Sequence, residues 1–265
     1  MNRRLLLALL ACLPAALAAA PLRVFDQATT EALGQQLHAQ ERRVAIAADM
    51  VRDFYDADTE EIVGFVTTGK APHLTVRFLR ARGGELEPAV DAVFDSDLLI
   101  PGLEPATGKP LSAAELAQAN ARRRVAADVQ TRCNGRYNTL VVDEPGGKHL
   151  LVYGIAVSDN PDQLMVGGHV RFTVSADGQQ ILKAEPLSSS CAVVGRDQFE
   201  SAADSEGTRG IGMRNPLADR PLETHVLMSL MHGIPLFVMT ADSKMWKVQN
   251  GKMKVVRNQP GEGQQ

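Results

Sequence analysis

Residues 137–184 read YNTLVVDEPG GKHLLVYGIA VSDNPDQLMV GGHVRFTVSA DGQQILKA. Apolar and polar residues alternate in four short segments of this stretch, a period of two that is typical of β-strands. The segments are 137–142, 150–157, 166–175 and 180–184. Their connections include Pro145-Gly146-Gly147 and Asp177-Gly178, which are sequences that form tight turns. The stretch therefore predicts an antiparallel meander.

A helix is predicted directly before this meander. Ser112 and Glu115 have the spacing of a capping box, in which each side chain bonds the other residue's backbone N–H. The alanine-rich sequence that follows has high helix propensity. We expect one central helix over about 112–131.

The N-terminal part predicts a helix followed by hairpins. Apolar residues recur at three-to-four spacing between Thr29 and Tyr55, which indicates an amphipathic helix or two consecutive ones. Short β-branched and aromatic runs follow at 62–67, 74–80 and 89–94, and Gly83-Gly84 suits a hairpin turn between the last two. Prolines and glycines at 101–110 then interrupt every pattern.

The C-terminal part predicts a long loop and four more strands. Residues 196–222 show neither helical nor strand periodicity, and long loops in compact domains are often functional. The strands are 224–231, 234–240, 245–248 and 252–256. For 224–231 a helix ended by Gly233 is the alternative, although we favour the strand. The fold class is α+β, with mainly antiparallel sheet in the C-terminal half.

The start of the chain predicts export. Residues 1–18 combine a basic beginning, an apolar run and small residues before a cut after Ala18, as in a secretory signal peptide. A lipid anchor through Cys12 is a less favoured reading of the same segment. The apolar run is too short for a membrane helix, so no transmembrane segment is expected in the mature chain. We expect a periplasmic or secreted protein.

The domain plan divides the mature chain into two lobes. An N-terminal lobe is predicted at 19–110, a helix-plus-sheet lobe at 111–258 and a disordered tail at 259–265. The two lobes can equally form one domain. Removal of the leader leaves Cys133 and Cys191, and an oxidising compartment favours a disulfide between them.

Charge and composition favour a binding protein without specifying its ligand. The formal net charge of −3 makes nucleic acid a poor partner. The aperiodic loop is rich in charge of both signs, which suits polar recognition of an envelope protein or a small ligand. Its candidate binding residues are Arg196, Arg209, Arg214 and Arg220. The first hypothesis is a non-enzymatic binding, inhibitory or structural module without a cofactor.

Two alternatives remain open. One is a hydrolase whose histidine and carboxylate are brought together by the fold, because the six histidines are scattered and Ser188–Ser190 look like an ordinary loop. The other is a soft-metal protein, because thioether and imidazole groups suit Cu(I). The candidate metal ligands are Met228, Met231, His232 and Met245, and Trp246 lies next to Met245 in the sequence. A methionine-rich core explains the same composition.

Other motifs fail on inspection. Gly64–Lys70 has the glycine spacing of a phosphate-binding loop, but Ala71 and Pro72 follow where a hydroxyl and a helix are needed, so strand and turn are expected. Gly207, Gly210 and Gly212 have the dinucleotide glycines in reversed order. The acidic residues between Asp53 and Glu61 do not match a calcium loop, and we expect a solvated helix end.

Overall fold

The computed structural model describes residues 21–54, 62–129, 132–133 and 136–256. The predicted signal peptide at 1–18, the predicted tail at 259–265 and most of the acidic segment after Asp53 lie outside these ranges. In the described residues the fold is α+β, as predicted. No helix among them is both long and apolar enough to cross a membrane.

Helix α1 (Gln27–Phe54) begins at Asp26, whose carboxylate accepts the backbone N–H of Thr29 at 2.8 Å. Its apolar face contacts two separate cores. Leu33 and Leu37 pack against the C-terminal half of the chain, whereas Ala47 and Val51 pack against the N-terminal sheet. A single amphipathic helix therefore holds both halves together.

The N-terminal sheet is an antiparallel meander. It consists of β1 (Ile62–Lys70), β2 (His73–Arg82), β3 (Glu85–Phe94) and β4 (Gly102–Pro105), paired in that order. The hairpin at Gly83-Gly84 is confirmed. The segment that resembles a phosphate-binding loop is strand β1 and its turn, as expected.

Helix α2 (Ala113–Val129) is the predicted central helix, and its capping box is formed. The backbone N–H of Ser112 donates to Glu115 Oε2 at 2.8 Å, while the Glu115 N–H donates to Ser112 Oγ at 3.3 Å. The helix packs against the second sheet, which contains β5 (Arg136–Asp143), β6 (Leu150–Val157), β8 (Val170–Val174) and β9 (Ile181–Pro186). This sheet is the antiparallel meander that the sequence predicts.

The predicted strand at 166–175 is too long at its start, because β8 begins at Val170. The preceding strand β7 (Gln163–Met165) lies outside that prediction and pairs with β10 (Val193–Gly195) rather than with the second sheet. Gly167 and Gly168 follow β7, and a Cβ at Gly167 would lie 2.4 Å from the Ser190 carbonyl oxygen.

The third sheet contains β11 (Ala202–Ala203), β12 (Arg209–Asn215), β13 (Leu236–Thr240), β14 (Met245–Gln249) and β15 (Lys252–Val255). Strands β12 and β13 are parallel. The prediction that 196–222 is a loop throughout is therefore wrong, because β12 lies within it. A short 3₁₀ turn at Arg196–Gln198 precedes this sheet.

The connection from β12 to β13 is helix α3 (Glu223–His232), so the preferred strand at 224–231 is also wrong. The helix is buried between α1 and the third sheet. Leu227 packs in one core and Val226 and Met228 in another, so apolar residues are needed on every face and no helical period is visible. Gly233 ends the helix with φ 63°, as the alternative interpretation requires.

The disulfide Cys133–Cys191 is formed across a sequence separation of 58, with 5.5 Å between the Cα atoms. It joins the segment after α2 to the loop after β9. The boundary proposed at 101–110 includes β4, which pairs with β3. The division into two lobes stays a prediction.

Candidate functional site: an anion-accepting cavity at the start of α3

A cavity of about 280 Å³ lies beside the N-terminal turn of α3. Its walls come from four separated segments: residues 166–167, residues 187–194, the end of β12 and the first turn of the helix. The polar residues that line it are Ser188, Ser189, Ser190, Arg214, Asn215 and His225. No carboxylate belongs to this lining among the described residues.

The loop that forms one wall is held by main-chain contacts. Ser188 Oγ accepts the Gly168 N–H at 2.6 Å and donates to the Ser190 carbonyl at 2.9 Å. The N–H groups of Val166 and Gly167 donate to the Ala192 carbonyl at 3.0 and 3.1 Å. Because Cys191 is also covalently tied, this wall is fixed before any ligand enters.

His225 is the buried polar side chain of the site, with 6% of its surface exposed. Its Nδ1 accepts the backbone N–H of Leu222 at 2.8 Å. The proton of the neutral ring must then be on Nε2. Burial lowers the pKa of His225 to about 4. At neutral pH the ring is therefore an uncharged N–H donor.

The four arginines predicted as binding residues differ in their partners. Arg196 pairs with Asp162 at 3.2 Å, Arg209 with Glu200 at 3.4 Å and Arg220 with Asp219 at 3.2 Å. Arg214 has no such partner in the part of the chain that the structure describes. Of the four, Arg214 is the one that also lines the cavity.

The site therefore combines an unpaired guanidinium, an imidazole N–H donor and the exposed hydroxyls of Ser189 and Ser190. All of these groups can donate hydrogen bonds, and one carries positive charge. The remaining wall is apolar, with Val166, Val194 and other aliphatic side chains. This chemistry suits an anionic group attached to a small organic body.

The same geometry counts against His225 as a general base. A base must accept a proton on a free nitrogen, but Nδ1 of His225 already accepts a main-chain N–H. His169 has the same arrangement, because its Nδ1 accepts the Ala156 N–H at 3.1 Å, and burial lowers its pKa to about 4. Neither ring is paired with a carboxylate in the described residues.

The methionine-rich set is only partly brought together. Met228, Met231 and Trp246 pack in one apolar cluster with Met253. Met245 precedes Trp246 on β14, so strand alternation places it on the opposite face of the sheet, while His232 is exposed at the end of α3. Met228 and Met253 are buried, whereas Met231 and Met245 are only partly buried, so the methionines are neither all core residues nor a converged site. Copper binding stays an untested hypothesis.

The described residues contain no group of three or more His, Cys, Asp and Glu side chains placed to hold a metal ion. Most of the acidic segment 53–61 lies outside those residues. No protein-family model, curated protein or solved structure matches this chain. The functional argument therefore depends on the site's geometry.

The sequence predicts Arg214 as a binding residue. It does not predict Ser188–Ser190, which look like an ordinary loop, or His225 as residues of a site. Ser190 and Arg214 are 24 positions apart, Arg214 and His225 are 11 apart, and these segments have no common motif. The one signal in the sequence is that Arg214 lies in 196–222, the segment predicted to contain binding residues.

Proposed function

We propose that this protein is an exported binding module that holds a small organic anion in the cavity at the start of α3. The observation that supports it most is the difference among the four arginines. Three have acidic partners, whereas Arg214 has none in the described chain and lies at the cavity that His225 also lines.

Each ligand-binding group has a defined part in this proposal. Arg214 supplies charge and a forked pair of N–H donors to a carboxylate or phosphate. His225 adds a neutral donor whose direction is fixed by the main chain at Leu222. Ser189 and Ser190 are free to reorient their hydroxyls, and the apolar wall receives the organic part of the ligand.

Export is part of the proposal. The leader predicted at 1–18 and the disulfide support an oxidising compartment, since protein disulfides persist mainly outside the cytosol. A binding module there meets small carboxylates and phosphates without competition from the cytosolic pool of nucleotides.

The test is a titration of the mature protein with anions. Binding is measured as a rise in the midpoint temperature of thermal unfolding. Acetate and inorganic phosphate are added at constant ionic strength, with chloride as the reference. A ligand at a hundred times its dissociation constant stabilises the folded state by about 2.7 kcal/mol. The stronger of the two anions identifies the head group.

Two matched variants locate the effect. Arg214→Gln removes the unpaired charge, and Arg209→Gln removes an exposed, paired arginine from the same strand. We expect Arg214→Gln to weaken anion binding at least about tenfold and Arg209→Gln to leave it unchanged. Equal loss in both variants, or no stabilisation of the unmodified protein by either anion, would refute the proposal.

A further inference from the structure

A second cavity, of about 480 Å³, lies between the N-terminal sheet and α2, far in sequence from the α3 site. Its volume is within the range of pockets that enclose small ligands. Most of its lining is apolar, including Val63, Phe65, Leu79 and Leu86, with Ala119 and Ala126 on the helix. Ala119, Arg122 and Ala126 are one turn or two apart, so they share a face of α2.

The exceptional residue in this cavity is Arg122, which is 9% exposed. Its Nη1 donates to Thr139, to the carbonyl oxygen and at 2.9 Å to the hydroxyl. Nε and Nη2 have no hydrogen-bond partner, and no carboxylate in the described chain pairs with the guanidinium. Burial lowers the pKa of Arg122 to about 9, which still leaves it charged at neutral pH.

A buried, uncompensated charge is costly, and proteins ordinarily pair it. Two other arginines of this chain have the acidic partners that Arg122 lacks among the described residues. Arg171, which is fully buried, has Glu185 and Glu223 beside it, and Arg77 has Asp91 and Glu115. The missing partner of Arg122 is therefore an anion, and the cavity beside it provides apolar surface and no acidic residue.

The ring of Phe65 lies over the guanidinium, with 3.9 Å from Arg122 Cζ to the ring centroid. Nε and Nη2 are out of the reach of water in this arrangement. A ligand head group reaches them when the ring turns aside. Phe65 is on β1, an outer strand of its sheet that pairs with β2 alone, and its ring also packs against Phe78, with 6.3 Å between the ring centroids, so the movement gives up that contact.

From this geometry we infer that the cleft binds an anionic amphiphile, a monocarboxylate with an unbranched apolar chain. The carboxylate pairs with Arg122 after displacing the Phe65 ring, and the chain lies along Leu79, Leu86 and Ala126. Until then the Phe65 ring and the hydrogen bonds to the Thr139 carbonyl and hydroxyl hold the guanidinium in place. This site is independent of the α3 cavity.

The experiment is calorimetric titration of the mature protein with decanoate, and with 1-decanol as a neutral ligand of the same chain length. Arg122→Gln removes the charge and can keep a donor to Thr139. Arg124→Gln is the matched control, because Arg124 is exposed on the same helix and does not line the cavity. We expect decanoate to bind more tightly than decanol, Arg122→Gln to weaken decanoate at least about tenfold, and Arg124→Gln to change it less than about threefold.

Ala126→Phe provides a second route, since it fills the apolar part of the cavity without touching the charge. It should abolish decanoate binding even if Arg122→Gln fails to fold. Absence of decanoate binding to the unmodified protein would overturn the inference, and so would binding that both Arg122→Gln and Ala126→Phe leave unchanged. Decanol binding as tight as decanoate would show that Arg122 is only a structural partner of Phe65.

Discussion

The backbone N–H of Leu222 donates to Nδ1 of His225 across 2.8 Å, at the point where α3 begins. This bond satisfies one of the donors that a helix leaves free at its start. It also decides that Nε2 bears the proton, and so it makes His225, which lines the cavity, a neutral N–H donor. A structural cap and a binding group are thus the same side chain.

The buried histidines predict a stability that falls in mild acid. Burial lowers the pKa of His169 and of His225 to about 4, whereas the unfolded chain titrates near 6.5. Between these values the unfolded state binds more protons, so the free energy of unfolding falls as the pH falls from about 6.5 to about 4. Each histidine contributes up to about 1.4 kcal/mol per pH unit.

Urea unfolding at about pH 7 and about pH 5 measures this slope. His169→Asn provides the matched variant, because its side-chain oxygen can still accept the Ala156 N–H without titrating. We expect the variant to lose part of the pH dependence, because burial also lowers the pKa values of His225, His38 and His232. Carboxylates with lowered pKa values, such as Asp204 at about 2, titrate below this window. An unchanged slope in the variant would contradict the assignment.

Arg171 and Glu223 form the central ion pair of the protein, and both side chains are fully buried. Nη1 of Arg171 lies 2.5 Å from Oε1 of Glu223, which also accepts the Tyr153 hydroxyl at 2.9 Å. Glu223→Gln leaves a buried arginine with Glu185 as its remaining acidic partner. We expect the variant to lower the free energy of unfolding by about 3 kcal/mol.

The control for that pair is Glu200→Gln, which breaks the exposed ion pair with Arg209. Exposed pairs contribute little, so its effect should stay below about 1 kcal/mol. Urea unfolding of both variants measures the two changes in the free energy of unfolding. Equal effects in the two would show that the buried network contributes no more than a surface contact.

Loss of the disulfide should reduce both stability and anion binding. Cys133→Ser together with Cys191→Ser should lower the free energy of unfolding by about 2–4 kcal/mol, because the unfolded chain gains freedom. Cys191 lies in the loop that forms one wall of the α3 cavity, so anion-induced stabilisation should also weaken. Alkylation of both cysteines in the mature, unreduced protein would show instead that the bond is absent.

The parts of the fold that sequence predicted have strong local signals. The strands of the meander at 137–184 are rich in β-branched and aromatic residues, because its sheet packs on α2 at one face and on α1 at the other. The capping box at Ser112 needs only its own turn. Such features depend on neighbouring residues in the chain. They could be predicted without any tertiary contact.

Strand β12 and helix α3 could not be predicted in this way. Gly210 and Gly212 hide the strand pattern of β12, yet Gly210 is required, since a Cβ there would lie 2.1 Å from the Pro235 carbonyl oxygen. Helix α3 is apolar on every side because it is enclosed. In β12 and in α3, tertiary packing determines the residue types, so neither segment shows the apolar periodicity of its own secondary structure.

The candidate site was predictable in part. Arg214 is in the segment suspected of binding, but its freedom from an acidic partner depends on where Asp162, Glu200 and Asp219 lie. His225 became a candidate only through its bond to Leu222. Sequence identifies the residue types, and the fold decides which of them remain available.

The most direct test follows the ring nitrogens of His225 by ¹H–¹⁵N NMR while acetate or inorganic phosphate is added. At neutral pH the spectrum should show the tautomer protonated at Nε2. The anion should shift the Nε2–H resonance in the unmodified protein and in Arg209→Gln, but not in Arg214→Gln. The His169 resonances should stay in place. A His225 ring unmoved by both anions, or moved equally in Arg214→Gln, would contradict the proposed binding site.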